Sequence, residues 1–314
     1  MKLGIDMGGM SIKMGLVNEE NKIIGRITIP TDLTVPYQTL VERMADAVRQ
    51  MLENAGMTLE QCGGIGIGSP GTIDAKQGVI LYSNNFGWEN VPIVEELKKH
   101  LDTRIEIAND ADAAALGEVC AGAAEGAENA VLLTLGTGVG SGVILDKKIF
   151  RAAMPGGCEL GHLSIRYDGI RCTCGRKGCL EAYASASALL RIAREKAAEH
   201  PESIMNEMCG NDLEQMNGKI PFDAAKAGDE AGMETVKEYE GYLACGIANV
   251  INTFRPEKVI LGGGVAAQKD NLTAPLKDLV KDMCFGGSHG HIADIVTSVL
   301  GNDAGIIGAA NLVV

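Results

Sequence analysis

Two stretches of the chain, LGIDMGGMSIKMGLV at residues 3–17 and AVLLTLGTGVGSGVILD at residues 130–146, share one pattern. Each has a short apolar strand, a glycine-rich turn and a second apolar strand. A unit that occurs twice predicts an internal duplication. Because crossover helices follow each hairpin, we expect an α/β fold of two lobes around a central cleft. Ligands bind where such sheets present their strand ends.

Hydrophobic periodicity predicts the remaining elements. We expect further strands at 22–29, 63–71, 104–108, 257–265 and 293–299, and helices at 36–55, 110–121, 182–199, 230–253 and 303–312. The small-residue segment near 115–125 is the best candidate for a hinge. We therefore predict an N-terminal small lobe of residues 1–118 plus 300–314 and a C-terminal large lobe of residues 119–299.

The composition narrows the function classes. The 314 residues carry 28 basic and 41 acidic side chains, a net charge of −13, which disfavours nucleic acid as a partner. No apolar run of about 20 residues predicts a membrane span, and the N-terminus does not resemble a signal peptide. The odd number of cysteines, nine, argues against a disulfide scaffold and for a reducing cytoplasm.

Four residues within the segments ELGH (159–162) and CTCGRKGCLE (172–181) form a metal-binding pattern. One imidazole and three thiols are the ligand set of a closed tetrahedral zinc site: His162, Cys172, Cys174 and Cys179. Glu159 and Glu181 flank the cluster and are not needed as ligands. His289 and His291 are interpreted as part of a solvated loop rather than as a second metal site.

Three glycine turns, at 6–13, 135–142 and 261–265, are candidate phosphate-binding loops, because glycine lets backbone N–H groups approach an anion. A purely steric role in a tight turn is the alternative for each. None matches the P-loop motif, and Ser141 breaks the dinucleotide pattern. Asp110 stands where a strand ends and a helix begins, which suits either a first-turn acid or a general base for phosphoryl transfer.

These motifs together resemble the ROK family of sugar kinases, in particular its bacterial glucokinases, over almost the whole chain. The matching motifs are DxGG at 6–9, SPG at 69–71, NN at 84–85, ND at 109–110, GTGxG at 136–140, and ELGH with CxCGxxGCxE. The last of these is the most specific. The resemblance implies an actin-like and hexokinase-like pair of RNase H-like lobes, with a loop that structural zinc stabilises.

The resemblance also implies a role for each matching residue. Asp110 would be the general base that takes the proton from O6 of a hexose. The sugar would bind Gly71, Asn84, Asn109, Asp110, Glu159, His162 and Glu181. ATP and Mg²⁺ would bind Asp6, Gly8, Gly9, Met10, Ser11, Lys13, Thr137, Gly138, Gly263 and Gly264. The zinc ligands would be the four residues named above, so that His162 would serve both zinc and sugar.

Glucose is the substrate that the resemblance favours, and a homodimer or homotetramer is the assembly that it implies. N-acetylmannosamine, N-acetylglucosamine, allose and fructose stay open as other substrates, as does a non-catalytic sugar-binding protein. Repressors of the family carry a helix-turn-helix domain before the first glycine turn. Here DxGG begins at residue 6, so we do not expect a repressor.

Two positions depart from the family pattern. Asp112 stands where an asparagine is usual, and a second carboxylate there could raise the pKa of Asp110 modestly. Met10 stands where threonine is usual, and a thioether is a weak acceptor that cannot donate to a phosphate.

We expect Met10→Thr to lower the KM for ATP, because a threonine hydroxyl can donate a hydrogen bond to a phosphate oxygen. Steady-state kinetics at saturating sugar would measure this. An unchanged or raised KM would contradict the expectation and leave Ser11 as the polar group of this turn.

Overall fold

The computed structural model describes residues 1–290 and 292–313, so that His291, and with it part of the predicted solvated loop, lies outside the described residues. The chain divides into two compact units. The first comprises Met1–Leu132, Gly142–Cys158 and Val299–Val314, and the second comprises Leu133–Ser141 and Glu159–Ser298. Compared with the predicted lobes, residues 119–132, 142–158 and 299 belong to the first unit instead of the second.

The secondary structure is mixed. The strands are β1 (Lys2–Met7), β2 (Ser11–Val17), β3 (Ile23–Pro30), β4 (Ile65–Ser69), β5 (Thr72–Asp74), β6 (Val79–Ser83), β7 (Trp88–Val91), β8 (Ile105–Asn109), β9 (Ala130–Leu135), β10 (Val139–Leu145), β11 (Lys148–Ile149), β12 (Lys258–Gly262) and β13 (Asp294–Thr297). The helices are α1 (Tyr37–Asn54), α2 (Ile93–Lys98), α3 (Asp110–Ala121), α4 (Glu181–Ala184), α5 (Ala186–Glu199), α6 (Ile204–Met208), α7 (Ile220–Lys226), α8 (Glu230–Phe254), α9 (Asp270–Met283) and α10 (Ala304–Ala310). Within this described part of the chain, no helix is long and apolar enough to span a bilayer.

The two large sheets have the same strand order. The first sheet runs β3-β2-β1-β4-β8 and the second runs β11-β10-β9-β12-β13. If the strands of each sheet are numbered one to five in chain order, the spatial order is 3-2-1-4-5 in both sheets. This repeated topology confirms the predicted duplication. The boundary between the compact units passes through β9 and β10.

The register of the first sheet positions its polar strand ends. Strands β1, β4 and β8 run parallel, with Asp6 opposite Gly68 and Ser69 opposite Asn109. Strand β2 runs antiparallel to β1 and places Lys13 opposite Asp6. The carboxyl ends of the three parallel strands therefore lie at one edge of the sheet, the usual position for a ligand site in this kind of sheet.

Helices α3 and α10 pack closely in the first unit. A Cβ added at Gly66 of β4 would lie 1.7 Å from the carbonyl oxygen of Ala309, and one added at Gly308 would lie 1.6 Å from that of Ala113. Only glycine permits these approaches, because any side chain would overlap backbone atoms. The start of α10 thereby reaches the sheet edge that carries Asp6, where a Cβ added at Gly305 would lie 2.7 Å from the carboxyl carbon of Asp6.

A buried carboxylate fixes the end of α3. Glu118 is fully buried and accepts hydrogen bonds from the backbone N–H groups of Ala123 (2.8 Å) and Leu300 (3.0 Å). A buried polar group requires hydrogen-bond partners of this kind. The segment 115–125, predicted as a hinge from its small residues, thus contains the end of α3 and belongs to the first unit throughout.

Several elements were not predicted. The sheet β5-β6-β7 and the helices α2, α6, α7 and α9 lie in segments where no strand or helix was expected. The predicted helix at 182–199 is broken between α4 and α5. At the break, Ser185 adopts an extended conformation, and its hydroxyl accepts a hydrogen bond from the N–H of Ala188 at 3.1 Å, a helix N-cap.

Candidate functional site

Asp110 is the first residue of α3, directly after β8. The preceding residue, Asn109, caps the helix: its side-chain oxygen accepts hydrogen bonds from the N–H groups of Ala111 (2.9 Å) and Asp112 (3.4 Å). The Asp110 carboxylate accepts a bond from the N–H of Ala111 at 3.0 Å. The strand end and the cap therefore hold this carboxylate at a fixed position, as the sequence pattern predicted.

Burial raises the pKa of Asp110 above its ordinary value, and hydrogen bonds from the backbone of Ala111 and from Asn109 partly offset this effect. Burial likewise raises the pKa of Asp6, which the charge of Lys13 lowers and the charge of Asp110 raises. Asp6 and Asp110 thus interact electrostatically at one sheet edge. A carboxylate with a raised pKa is a stronger base than an exposed one, which suits proton abstraction.

Gly71 lies beside this edge. Its φ is +116°, and an added Cβ would lie 2.2 Å from the carbonyl oxygen of Tyr82. Both the backbone conformation and the space therefore require glycine. The Gly71 carbonyl oxygen accepts a hydrogen bond from the side-chain amide of Asn109 at 3.1 Å, which brings these two predicted residues together. Asn84 is exposed, and its side-chain oxygen accepts a bond from the Tyr82 hydroxyl at 3.4 Å.

The first glycine turn closes the hairpin β1–β2. The N–H of Gly8 donates to the carbonyl oxygen of Ser11 at 3.0 Å, and Met10 is 90% exposed at the tip. A Cβ at Gly9 would contact nothing within 4 Å, so internal packing does not require this glycine. Thr31 was missed by sequence reasoning: its hydroxyl donates to the Gly8 carbonyl oxygen at 2.6 Å. No local motif distinguishes Thr31 in the sequence.

The predicted zinc ligands come together in the second unit. The ligand atoms of His162, Cys172, Cys174 and Cys179 all lie within 4.8 Å of one another. His162 Nδ1 is 3.7 Å from Cys172 Sγ, and Cys174 Sγ is 3.7 Å from Cys179 Sγ. A tetrahedral ion with Zn–S bonds of about 2.3 Å requires ligand separations of about 3.8 Å. The donor set and its spacing therefore fit zinc.

Glu181 connects this cluster to the second glycine turn. One of its oxygens, Oε2, accepts a hydrogen bond from the N–H of Val139 at 3.0 Å. The other, Oε1, accepts bonds from the Cys172 thiol and the Thr173 hydroxyl, both at 3.3 Å. A Cβ at Gly138 would lie 2.3 Å from Oε2, so the turn fits directly against the carboxylate.

The ELGH segment forms a short 3-10 turn, Leu160–His162. Ser141, also missed by sequence reasoning, accepts a hydrogen bond from the N–H of Leu160 at 3.0 Å. A Cβ at Gly161 would lie 2.1 Å from the Val139 carbonyl oxygen, which explains the glycine of this motif. Glu159 is exposed and His162 is half-buried, so both side chains are accessible from solvent.

The third glycine turn lies in the same unit. Gly263 has a φ of +82°, and a Cβ added to it would lie 2.5 Å from the carbonyl oxygen of Leu135. A Cβ added to Gly264 would have no neighbour within 4 Å. The backbone carbonyl of Thr137 accepts a hydrogen bond from the Ser187 hydroxyl at 2.9 Å. The Thr137 side chain is exposed. These turns thus have glycines of two kinds, some required by packing and some facing solvent.

Comparison with known proteins agrees with this arrangement. The model of the ROK family matches residues 2–314. The chain belongs to the ROK family. It is 36% identical to the glucokinase of Thermotoga maritima over 312 residues, which cover 99% of this chain and 96% of that protein. It is 35% identical to the glucokinase of Halalkalibacterium halodurans, with 99% of this chain and 94% of that protein covered.

Solved ROK structures share the fold. The ROK family glucokinase from Streptomyces griseus, crystallised in complex with glucose and AMPPNP, superimposes with a TM-score of 0.79 at 31% identity and covers 99% of this chain and 98% of that one. The predicted family and the predicted duplicated α/β fold are therefore confirmed. The roles of individual site residues stay predictions.

The raised pKa of Asp110 yields a test of stability. An acid whose pKa rises on folding holds its proton more tightly in the folded state, so its ionised form destabilises the fold above that pKa. Asp110→Asn removes the charge, and an amide oxygen can still accept the Ala111 N–H. We therefore expect the variant to have a higher Tm than the wild type at pH 7.

This difference in Tm should disappear as the pH falls below the ordinary aspartate pKa of 3.8, because Asp110 of the wild type is then protonated in both the folded and the unfolded state. Differential scanning calorimetry between pH 3 and pH 8 would measure it. Asp102→Asn, at an exposed position, is the matched control. A lower Tm for Asp110→Asn at pH 7 would contradict the expected cost of the buried charge.

Proposed function

We propose that this protein phosphorylates a hexose at O6 with ATP, and that glucose is the substrate. The observation that carries the reaction class is Asp110, a partly buried carboxylate of raised pKa at the carboxyl end of a parallel sheet. The choice of glucose is supported by full-length similarity to proteins named glucokinase. In such a transfer the protein supplies positioning and electrostatic stabilisation rather than covalent chemistry.

In the proposed reaction, Asp110 accepts the proton of the O6 hydroxyl as that oxygen attacks the γ-phosphorus of ATP. The bond from the γ-phosphorus to the β,γ-bridging oxygen breaks, and ADP leaves with that oxygen. Its raised pKa supports this role, because a base acts best when its pKa lies close to the working pH. Asn109 and Gly71, already hydrogen-bonded to each other, would bind neighbouring sugar hydroxyls. Asn84 would do the same from its exposed position.

Asp6 would hold the Mg²⁺ that accompanies ATP. Its carboxylate lies near that of Asp110, and each raises the energy of the other charge, so a divalent cation there would relieve the repulsion. Bound Mg²⁺ would neutralise charge on the transferring phosphoryl group. Gly9 and Gly264, which packing does not require, leave backbone open for phosphate and adenosine. Gly8, Ser11, Lys13, Thr137, Gly138 and Gly263 complete the proposed nucleotide-binding set.

We assign zinc a structural role. The distance of 3.7 Å from His162 Nδ1 to Cys172 Sγ favours Nδ1 as the metal ligand. This leaves Nε2 of the neutral ring for a sugar hydroxyl, with the tautomer fixed by the metal. Glu159, three residues before His162, would bind a further hydroxyl. Glu181 would act first as a positioning residue, because both of its oxygens already accept hydrogen bonds from the protein.

The alternative substrates and the non-catalytic alternative can be distinguished by one assay, a sugar panel with ATP. A pocket with room for an acetamido group would favour N-acetylmannosamine or N-acetylglucosamine, whereas allose differs from glucose in the configuration of one hydroxyl and fructose in the position of its carbonyl group. A sugar-binding protein without catalysis would bind but not turn over. The predicted homodimer or homotetramer, the cytoplasmic location and the absence of nucleic-acid partners stay predictions.

A coupled assay with ATP, Mg²⁺ and a panel of hexoses and N-acetylhexosamines tests the proposal. We expect the highest kcat/KM on glucose. Asp110→Asn should reduce kcat by a factor of about 10³ or more and change the KM for glucose little, since it removes the base but preserves the shape.

Asp102→Asn, an exposed substitution of the same kind in the same unit, should retain full activity. Preference for another sugar, with the same loss in Asp110→Asn, would correct the substrate and keep the mechanism. Full activity of Asp110→Asn would reject Asp110 as the base. No turnover on any sugar, with binding retained, would favour the non-catalytic protein.

The zinc assignment has its own test. Cys179→Ser should reduce bound zinc from about one ion per chain to less than a tenth, measured by elemental mass spectrometry. We expect the KM for glucose to rise about tenfold, because His162 would lose the bond that orients its ring. Cys62→Ala, a buried thiol of the first unit, is the control for loss of a cysteine. Stoichiometric zinc in Cys179→Ser would contradict the assignment.

A further inference from the structure

The first unit contains a cavity of about 670 Å³ that is separate from the residues discussed above. Its charged lining comprises five basic side chains and one acid: Lys2, Arg104, Lys147, Lys148, Arg151 and Glu106. The volume lies in the range of small-molecule sites, about 300 to 1,000 Å³.

The cavity lies toward the opposite end of the sheet from Asp6 and Asp110. Lys2 begins β1 and Asp6 lies four residues later, a separation of about 13 Å along a strand. Cys120, in the cavity lining, follows Asp110 by ten residues of α3, about 15 Å along a helix. A ligand here would therefore not overlap the proposed base.

The concentration of cations is unusual for this chain. The protein has 28 basic and 41 acidic residues, yet basic residues outnumber acids by five to one in the cavity lining. Like charges that lie together repel one another, and an anion that binds among them relieves this repulsion. The arrangement thus favours an anionic ligand in spite of the overall negative charge.

Internal partners neutralise only part of this charge. Arg104 pairs with Glu106 at 3.3 Å, and Lys147 lies 3.9 Å from a carboxylate oxygen of Glu128. Lys2 donates to the side-chain oxygen of Asn311 at 2.9 Å, a neutral acceptor.

Lys148 and Arg151 are exposed and form no ion pair within residues 1–290 and 292–313. These two cations are therefore available to an incoming anion. Arginine supplies a planar fork and lysine a compact point charge, the pair of donors common in phosphate sites.

The rest of the lining is uncharged. Burial raises the pKa of the Cys120 thiol, partly offset by Lys2, so that the thiol stays neutral at pH 7. Leu116, Ile149 and Leu312 contribute apolar surface. An inorganic anion alone would leave this surface without a partner, whereas the carbon body of an organic anion would cover it.

We propose that this cavity binds a small organic molecule that carries two or more phosphoryl groups. Each phosphate monoester has a charge of about −1.5 to −2 at pH 7, so two such groups match the excess of cations in the lining. The separation from Asp6 and Asp110 makes this a second site and not a subsite for ATP or sugar.

Isothermal titration calorimetry with 2,3-bisphosphoglycerate tests the proposal, because this probe carries two phosphates and is not a hexose. We expect binding at low ionic strength that weakens as salt increases. The double variant K148Q/R151Q should bind at least tenfold more weakly. The double variant K76Q/K98Q removes two exposed lysines of the same unit outside the cavity, with the same change of net charge, and should bind within twofold of the wild type.

Three further comparisons separate the alternatives. Asp110→Asn should bind the probe as the wild type does, and a loss there would place the probe at the catalytic edge and overturn the proposal. Inorganic phosphate and citrate should each bind at least tenfold more weakly, and equal binding of citrate would reject a preference for phosphate. No binding to the wild type, or equal weakening in both double variants, would also overturn the proposal.

Discussion

The close packing of α10 on the first sheet is the constraint on which the candidate site depends. Helix and sheet approach until backbone contacts backbone, at Gly66 of β4 and at Gly308 against α3. Any side chain at either position would separate the layers. Because α10 begins beside Asp6 and α3 begins at Asp110, a separation of these layers would move both carboxylates. A position far from any substrate thus controls the geometry of the proposed base.

Burial at the start of α3 determines the electrostatics of Asp110. A carboxylate at a solvated helix end would have an ordinary pKa, and burial at the strand end raises it. The rise makes the group a stronger base and costs stability whenever the group is ionised. Asn109 limits that cost, because its side chain caps the helix and also bonds the Gly71 carbonyl oxygen. Proteins commonly accept such local destabilisation at a functional site, where activity requires a charge in a partly buried place.

The features of the fold and the candidate site that depend on residues close together in the sequence could be predicted, and those that depend on residues far apart in the chain could not. The duplicated hairpins, the four candidate metal ligands and the position of Asp110 follow from local patterns, and the structure brings these four side chains together. Glu118 and Thr31 could not be predicted, because their partners lie far along the chain or carry no motif. The sheet β5-β6-β7 was missed because its strands are short, with mixed burial and no regular alternation.

Glu181 shows why the metal cluster and the glycine turn of the second unit have to be considered together. Its carboxylate joins Cys172 on one side to Val139 and Gly138 on the other. A thiol that binds zinc loses its proton and can no longer donate to Oε1, so metal binding changes one of the three hydrogen bonds that hold Glu181. The carboxylate would then be held by Val139 at Oε2 and by Thr173 at Oε1, and Oε1 would have one acceptor position free for a ligand. Zinc in this position would therefore influence the glycine turn as well as His162, because Glu181 is hydrogen-bonded to both Cys172 and Val139.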